Sequence, residues 1–87
     1  MAFKIDFTVK AEKQFAKLDK PIQAQIAHYI DELSSLDDPR TRGKALAGDL
    51  AGLWRYRVGD YRLLCRLQDE TLVILVLEMG HRRDVYK

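Results

Sequence analysis

The stretch WRYRVGDYRLLCR, residues 54–66, constrains the fold more than any other part of the chain. Gly59-Asp60 suits the two-residue turn of a tight hairpin, and strand-forming residues flank it on both sides. Such a turn sets Val58 opposite Tyr61 and Arg57 opposite Arg62. Side chains alternate between the two faces of a strand. Trp54, Tyr56, Val58, Tyr61, Leu63, Cys65 and Leu67 therefore share one face, and Leu53, Arg55, Arg57, Arg62, Leu64 and Arg66 share the other. The first face is aromatic and apolar and must be covered by the rest of the chain. The second gathers four arginines on two adjacent strands, and like charges directly opposite each other are destabilising. A phosphate in front of that face relieves the repulsion, because each guanidinium can donate two parallel hydrogen bonds to it.

The remaining segments supply the cover. FKIDFTV alternates Phe3, Ile5 and Phe7 with Lys4, Asp6 and Thr8, the period of a half-buried strand. Thr8 is placed to cap a helix that carries Ala11, Phe15 and Leu18 on one side. A second helix begins at Asp19 or Lys20 and tolerates Pro21 in its first turn. Ile22, Ile26, Ile30, Leu33 and Leu36 form its apolar stripe, and it stops by Asp38 because Pro39 disfavours helical geometry in the residue before it. Residues 39–52 contain Gly43, Gly48 and Gly52 and read as a long loop. TLVILVLEM is apolar without alternation and reads as a central strand covered on both faces. The expected fold is α+β, a single domain over residues 1–87. A small antiparallel sheet, made of the N-terminal strand and a C-terminal three-strand meander, carries two helices on one face.

A chain of 87 residues suffices for one core and not for two. Its single cysteine, Cys65, excludes an internal disulfide and a multi-cysteine zinc site. No group of His, Cys, Asp and Glu has metal-ligand spacing, so neither a metal nor another cofactor is expected. The apolar run LVILVL is too short to span a bilayer. MAFKIDF carries Lys4 and Asp6 where a signal peptide needs an apolar centre. A cytoplasmic protein without membrane association is expected. The net charge of +2 conceals a segregation: residues 40–66 hold Arg40, Arg42, Lys44, Arg55, Arg57, Arg62 and Arg66 against Asp49 and Asp60, a local +5. Clustered charge of one sign points to a polyanionic partner, and arginine forks match phosphate oxygens.

The tail GHRRDVYK follows the last strand directly and adds His81, Arg82, Arg83 and Tyr86. With these residues in place the chain resembles the RelE toxins of bacterial toxin–antitoxin pairs, within the RelE/ParE superfamily. The resemblance covers essentially the whole length and runs in family order through KLDKPIQAQI, GKALAGDLAGLWRYRVGDYRLLC and MGHRRDVY. It implies an antiparallel sheet with the helices on one face. It also implies a metal-independent endoribonuclease that cuts mRNA in the ribosomal A site. The implied partners are the ribosome with its mRNA and a RelB-like antitoxin that neutralises the toxin in a hetero-oligomer.

Residue by residue, the resemblance implies Arg55 and Arg57 as the basic pair of the second strand, where RelE has lysines. It implies Arg62 as the arginine opening the third strand, Arg82 as the arginine after the last strand, and Tyr86 as the terminal tyrosine. His81 stands where RelE has a lysine, and some relatives use a histidine near this end as an acid or base. The sequence stops one residue past Tyr86, without the C-terminal helix of some members.

Metal-free RNA cleavage by the 2′-oxygen needs a proton removed, charge stabilised on phosphorus and a proton given to the leaving 5′-oxygen. Arginine stabilises charge but carries protons poorly. The expected catalytic set is Arg62 and Arg82 at the phosphate with His81 and Tyr86 as the acid/base pair, in either order. Arg55, Arg57, Arg66 and Lys44 are expected to bind the RNA phosphates. Two other functions fit the same fold and charge: a ParE-like toxin that poisons DNA gyrase, and a non-catalytic basic module that binds RNA or protein.

Overall fold

A computed structural model describes residues 3–83. Over these residues the chain forms β1 (Lys4–Phe7), α1 (Val9–Ala16), α2 (Lys20–Ser34), β2 (Lys44–Ala45), β3 (Trp54–Val58), β4 (Tyr61–Gln68) and β5 (Val73–His81). Short 3-10 turns occupy Pro39–Thr41 and Gly48–Leu50. The strands make one sheet in the order β1-β5-β4-β3-β2.

The helices begin where their capping residues place them. The Thr8 hydroxyl accepts the Ala11 N–H at 3.1 Å and opens α1. Asp19 precedes α2, and Pro21 lies in its first turn, where no N–H is missed. Ile26, Ile30 and Leu33 of α2 and Ala11 of α1 pack against Tyr56, Leu63, Cys65, Ile74, Val76 and Met79 to form the core. All six of these strand residues lie on one side of the sheet, so both helices cover that side. Among the described residues no helix is long and apolar enough to cross a membrane.

The N-terminal strand departs from the antiparallel expectation. β1 runs parallel to β5, with Lys4 opposite Val73 and Phe7 opposite Val76, while the other strand pairs are antiparallel. Alternation is the same in either orientation, so the period of FKIDFTV carries no direction. Parallel neighbours need a long crossover connection, and the segment from α1 to the meander supplies it.

β5 is central, yet helices cover only one of its faces. Its burial alternates: Ile74, Val76 and Met79 are buried, while Val73 and Leu75 on the other side are half-buried. Leu64 reaches 5 % exposure on that uncovered side, where Arg66 lies directly opposite Leu75. Pairing with β1 ends near Val76, and the β4–β5 register shifts between Leu64 and Cys65. Beyond that point α1 satisfies the outer edge of β5. Thr8 Oγ1 donates to the Leu77 carbonyl at 2.7 Å, and Gln14 Oε1 accepts the Met79 N–H at 2.7 Å.

Residues 39–52 are more ordered than a plain loop. They contribute β2, which pairs with β3 through Lys44 opposite Arg55 and Ala45 opposite Trp54. Gly43 makes the approach possible. Its φ is +78°, and a Cβ there would lie 2.7 Å from both the Arg55 carbonyl and the Tyr56 ring.

Candidate functional site

The hairpin closes as its residues require. Gly59 takes a φ of +59° at the turn, Val58 pairs with Tyr61, and Arg57 pairs with Arg62. Arg55, Arg57, Arg62 and Arg66 therefore lie on the side of the sheet away from the helices. β2 extends this face by placing Lys44 directly opposite Arg55. The sheet thus carries two like-charge pairs side by side, Lys44 with Arg55 and Arg57 with Arg62. Such pairs cost roughly 0.2–1 kcal/mol each where solvent reaches them, and salt lowers that further.

Two features moderate the crowding. Arg62 Nη1 donates to the carbonyls of Gly59 at 3.3 Å and Tyr61 at 3.2 Å, so its guanidinium rests on backbone dipoles at the turn. β5 brings Glu78 to this face opposite Leu64. Glu78 is bonded to Lys10 Nζ at 3.1 Å. Opposite Arg62, β5 contributes Gly80, which adds no side chain there.

His81 pairs with Tyr61 and so belongs to the helix side of the sheet, not to the arginine face. Its ring meets the Tyr61 ring edge-on at 5.7 Å and 80°. Its Nδ1 accepts the Arg83 N–H at 3.3 Å. The Arg82 N–H donates to the Asp60 carbonyl at 2.8 Å, which ties the end of β5 to the hairpin turn between Arg57 and Arg62. Tyr86 lies outside the described residues.

Burial holds three other ionisable groups in their neutral forms. It raises Tyr56 above the ordinary tyrosine range and pushes the Cys65 thiol up to about 12. Tyr29 is raised chiefly by burial, against the opposing pull of Arg42, whose guanidinium lies 5.7 Å from its ring centre. All three belong to the core or the β2 approach and offer no nucleophile or base to the arginine face. Among the described residues no three His, Cys, Asp or Glu side chains gather as a metal site.

Sequence reasoning missed the contacts that arrange this face. Tyr56 donates its hydroxyl to the Pro39 carbonyl, and Asp60 offers its carbonyl to Arg82. Neither has a local signature, since both join segments far apart in the chain. Gly43 beside Lys44 is the one local sign that the loop comes close to a strand.

The arrangement can be compared with known proteins. The family described as the ParE toxin of type II toxin-antitoxin system, parDE, matches residues 5–86. The chain belongs to the ParE toxin family. Within it, the chain is 35% identical over 88 residues to Toxin RelG of Mycobacterium tuberculosis, covering 100% of this chain and 99% of RelG. It is 31% identical over 84 residues to the mRNA interferase toxin RelE of Escherichia coli, covering 94% of this chain and 85% of RelE. The toxin–antitoxin complex RelBE2 of Mycobacterium tuberculosis contains a similar fold, with a TM-score of 0.85 at 34% identity over 94% of this chain and 100% of that one. The RelE–RelB complex of the archaeon Pyrococcus horikoshii gives a TM-score of 0.74 at 25% identity, over 98% of this chain and 100% of that one. This member of the ParE toxin family is a RelE-type toxin of a toxin–antitoxin system.

Proposed function

We propose that this chain is a metal-independent endoribonuclease that cuts mRNA on the translating ribosome in the cytoplasm and is neutralised by a RelB-like antitoxin. The observation that carries the reading is the face built from Lys44, Arg55, Arg57, Arg62 and Arg66, which suits a polyanionic strand. The relatives named mRNA interferase supply the reaction class. Neighbours solved as complexes with antitoxins supply the partner.

In the proposed reaction the 2′-oxygen attacks the adjacent phosphorus while the bond to the 5′-oxygen breaks. A base takes the 2′ proton, and the leaving oxygen receives one. Arg62 and Arg82 hold the phosphate and meet the charge that grows on its oxygens. Arg55, Arg57, Arg66 and Lys44 bind the strand on either side. Tyr86 carries one of these protons.

Primer extension on mRNA from a translating extract tests the proposal. Cuts in frame within codons after the protein is added support it. Intact mRNA with DNA breaks and filamentation in expressing cells would instead support a gyrase poison. Binding of RNA without either effect would support a non-catalytic basic module.

A further inference from the structure

We propose that His81 is a positioning residue, which holds Arg82 beside the β3–β4 turn through its bond to the Arg83 N–H and carries no proton in the reaction. The proposal rests on the ribonuclease reading above. Three observations lead to it. The β4–β5 register puts His81 opposite Tyr61 and Gly80 opposite Arg62, so the imidazole belongs to the other side of the sheet from the arginines. The ring is half-buried there, edge-on to Tyr61. Its Nδ1 accepts the N–H of the residue two further along, as Asn and Asp side chains do when they hold a turn.

That bond restricts the chemistry of the ring. A neutral imidazole has one N–H and one lone pair. With the Nδ1 lone pair given to Arg83, the proton sits on Nε2 and no lone pair remains to act as a base. Protonation makes both nitrogens donors and removes the acceptor that Arg83 needs. The ring can hold the turn or ferry protons, not both at once.

What it holds is the approach of Arg82. The Arg82 N–H is fixed on the Asp60 carbonyl, and the next N–H, of Arg83, is fixed on His81. Arg82 is thus clamped on both sides, at the turn whose flanking strands carry Arg57 and Arg62. A misplacement of about 1 Å at a reacting group can cost on the order of a hundredfold in rate, so a backbone clamp of this kind bears on cleavage without touching RNA.

The test uses the isosteric logic of the two nitrogens. Asn places an oxygen on Cγ where His has Nδ1, whereas Gln places its polar group near Nε2 and lacks the δ acceptor. Ribosome-dependent mRNA cleavage and exchange of the Arg83 amide with solvent are measured for wild type, His81→Asn, His81→Gln and His81→Ala. Asn should keep the Arg83 amide protected and rescue cleavage to within about fivefold of wild type, while Gln and Ala lose the protection and roughly tenfold to a hundredfold in cleavage. In an Arg82→Ala background, His81→Ala should cost nothing further, since it acts through Arg82. Asn as poor as Ala, Gln as good as Asn, or four equal proteins would overturn the proposal. If the Ala variant does not fold, the Asn and Gln pair decides alone. A wild type that cleaves no ribosome-bound mRNA overturns the ribonuclease reading instead. The amide exchange then still decides whether His81 holds the turn, and an unprotected Arg83 in wild type overturns that too.

Discussion

The Tyr56 hydroxyl, on a side chain with no exposed surface, donates a 2.9 Å hydrogen bond to the carbonyl of Pro39. Pro39 is itself fully buried. The bond pins the segment leading to β2 from the core side, while Gly43 lets that segment pass against the same tyrosine ring. Lys44 reaches its place opposite Arg55 as a result.

Tyr56→Phe should therefore destabilise the protein by about 1–3 kcal/mol, the cost of leaving a buried carbonyl without its partner. Gly43→Ala should also destabilise, because a positive φ and a 2.7 Å approach to Tyr56 combine there. Urea denaturation measures both. Lys44→Ala should leave stability nearly unchanged and weaken RNA binding, since the side chain is exposed. An unaltered urea midpoint in Tyr56→Phe would show that the tether is not needed.

Arg62→Ala should separate stability from activity. The side chain faces Arg57 and donates to the Gly59 and Tyr61 carbonyls, so removing it relieves a like-charge pairing at the turn. Its melting temperature should change little, within about 0.5 kcal/mol of stability. Cleavage of mRNA should fall by roughly two orders of magnitude, the usual loss of a donor to a developing oxyanion. Sulfate or phosphate should stabilise wild type more than the variant. Normal cleavage by Arg62→Ala would remove this residue from the site.

Naked RNA should be a poor substrate. Trp54, Tyr56 and Tyr61 all lie on the helix side of the hairpin, and no described residue of the arginine face is aromatic. The face can grip phosphates but lacks the rings on which single-stranded bases stack. Comparing cleavage of one transcript free and on the ribosome checks this, and equal rates would contradict it.

Cys65 should resist alkylation in the native protein. Burial pushes its thiol up to about 12 from an ordinary 9.0, so almost no thiolate forms near neutral pH. The same shift bears on stability. The unfolded chain releases this proton first, so the contribution is complete below about pH 9 and is lost as the pH rises toward 12. Tyr56, also raised by burial, acts in the same direction. Urea midpoints should be level through neutral pH and fall above pH 9. Rapid labelling of folded protein at pH 8 would show that the thiol is not enclosed.

Local patterns were enough for the hairpin, both helices and the side of the sheet on which each hairpin arginine lies. A two-residue turn sets register, and register sets the face of every later residue until a bulge intervenes. Thr8 and Pro21 marked helix starts because their effect is exerted within one turn. What the local pattern could not contain was decided by pairing between distant segments. The direction of β1 depends on how the chain crosses from it to the meander, and alternation is blind to direction. The strand at Lys44–Ala45 exists because Tyr56 and Gly43 bring the loop to the edge of β3. The side taken by His81 follows from its place opposite Tyr61, in a strand whose register had already shifted once. In the sequence GHRRDVY, His81 stands beside Arg82 as an apparent partner in catalysis. In the folded chain His81 pairs with Tyr61, and the pleat of β5 turns its imidazole to the helix side of the sheet, away from the hairpin arginines.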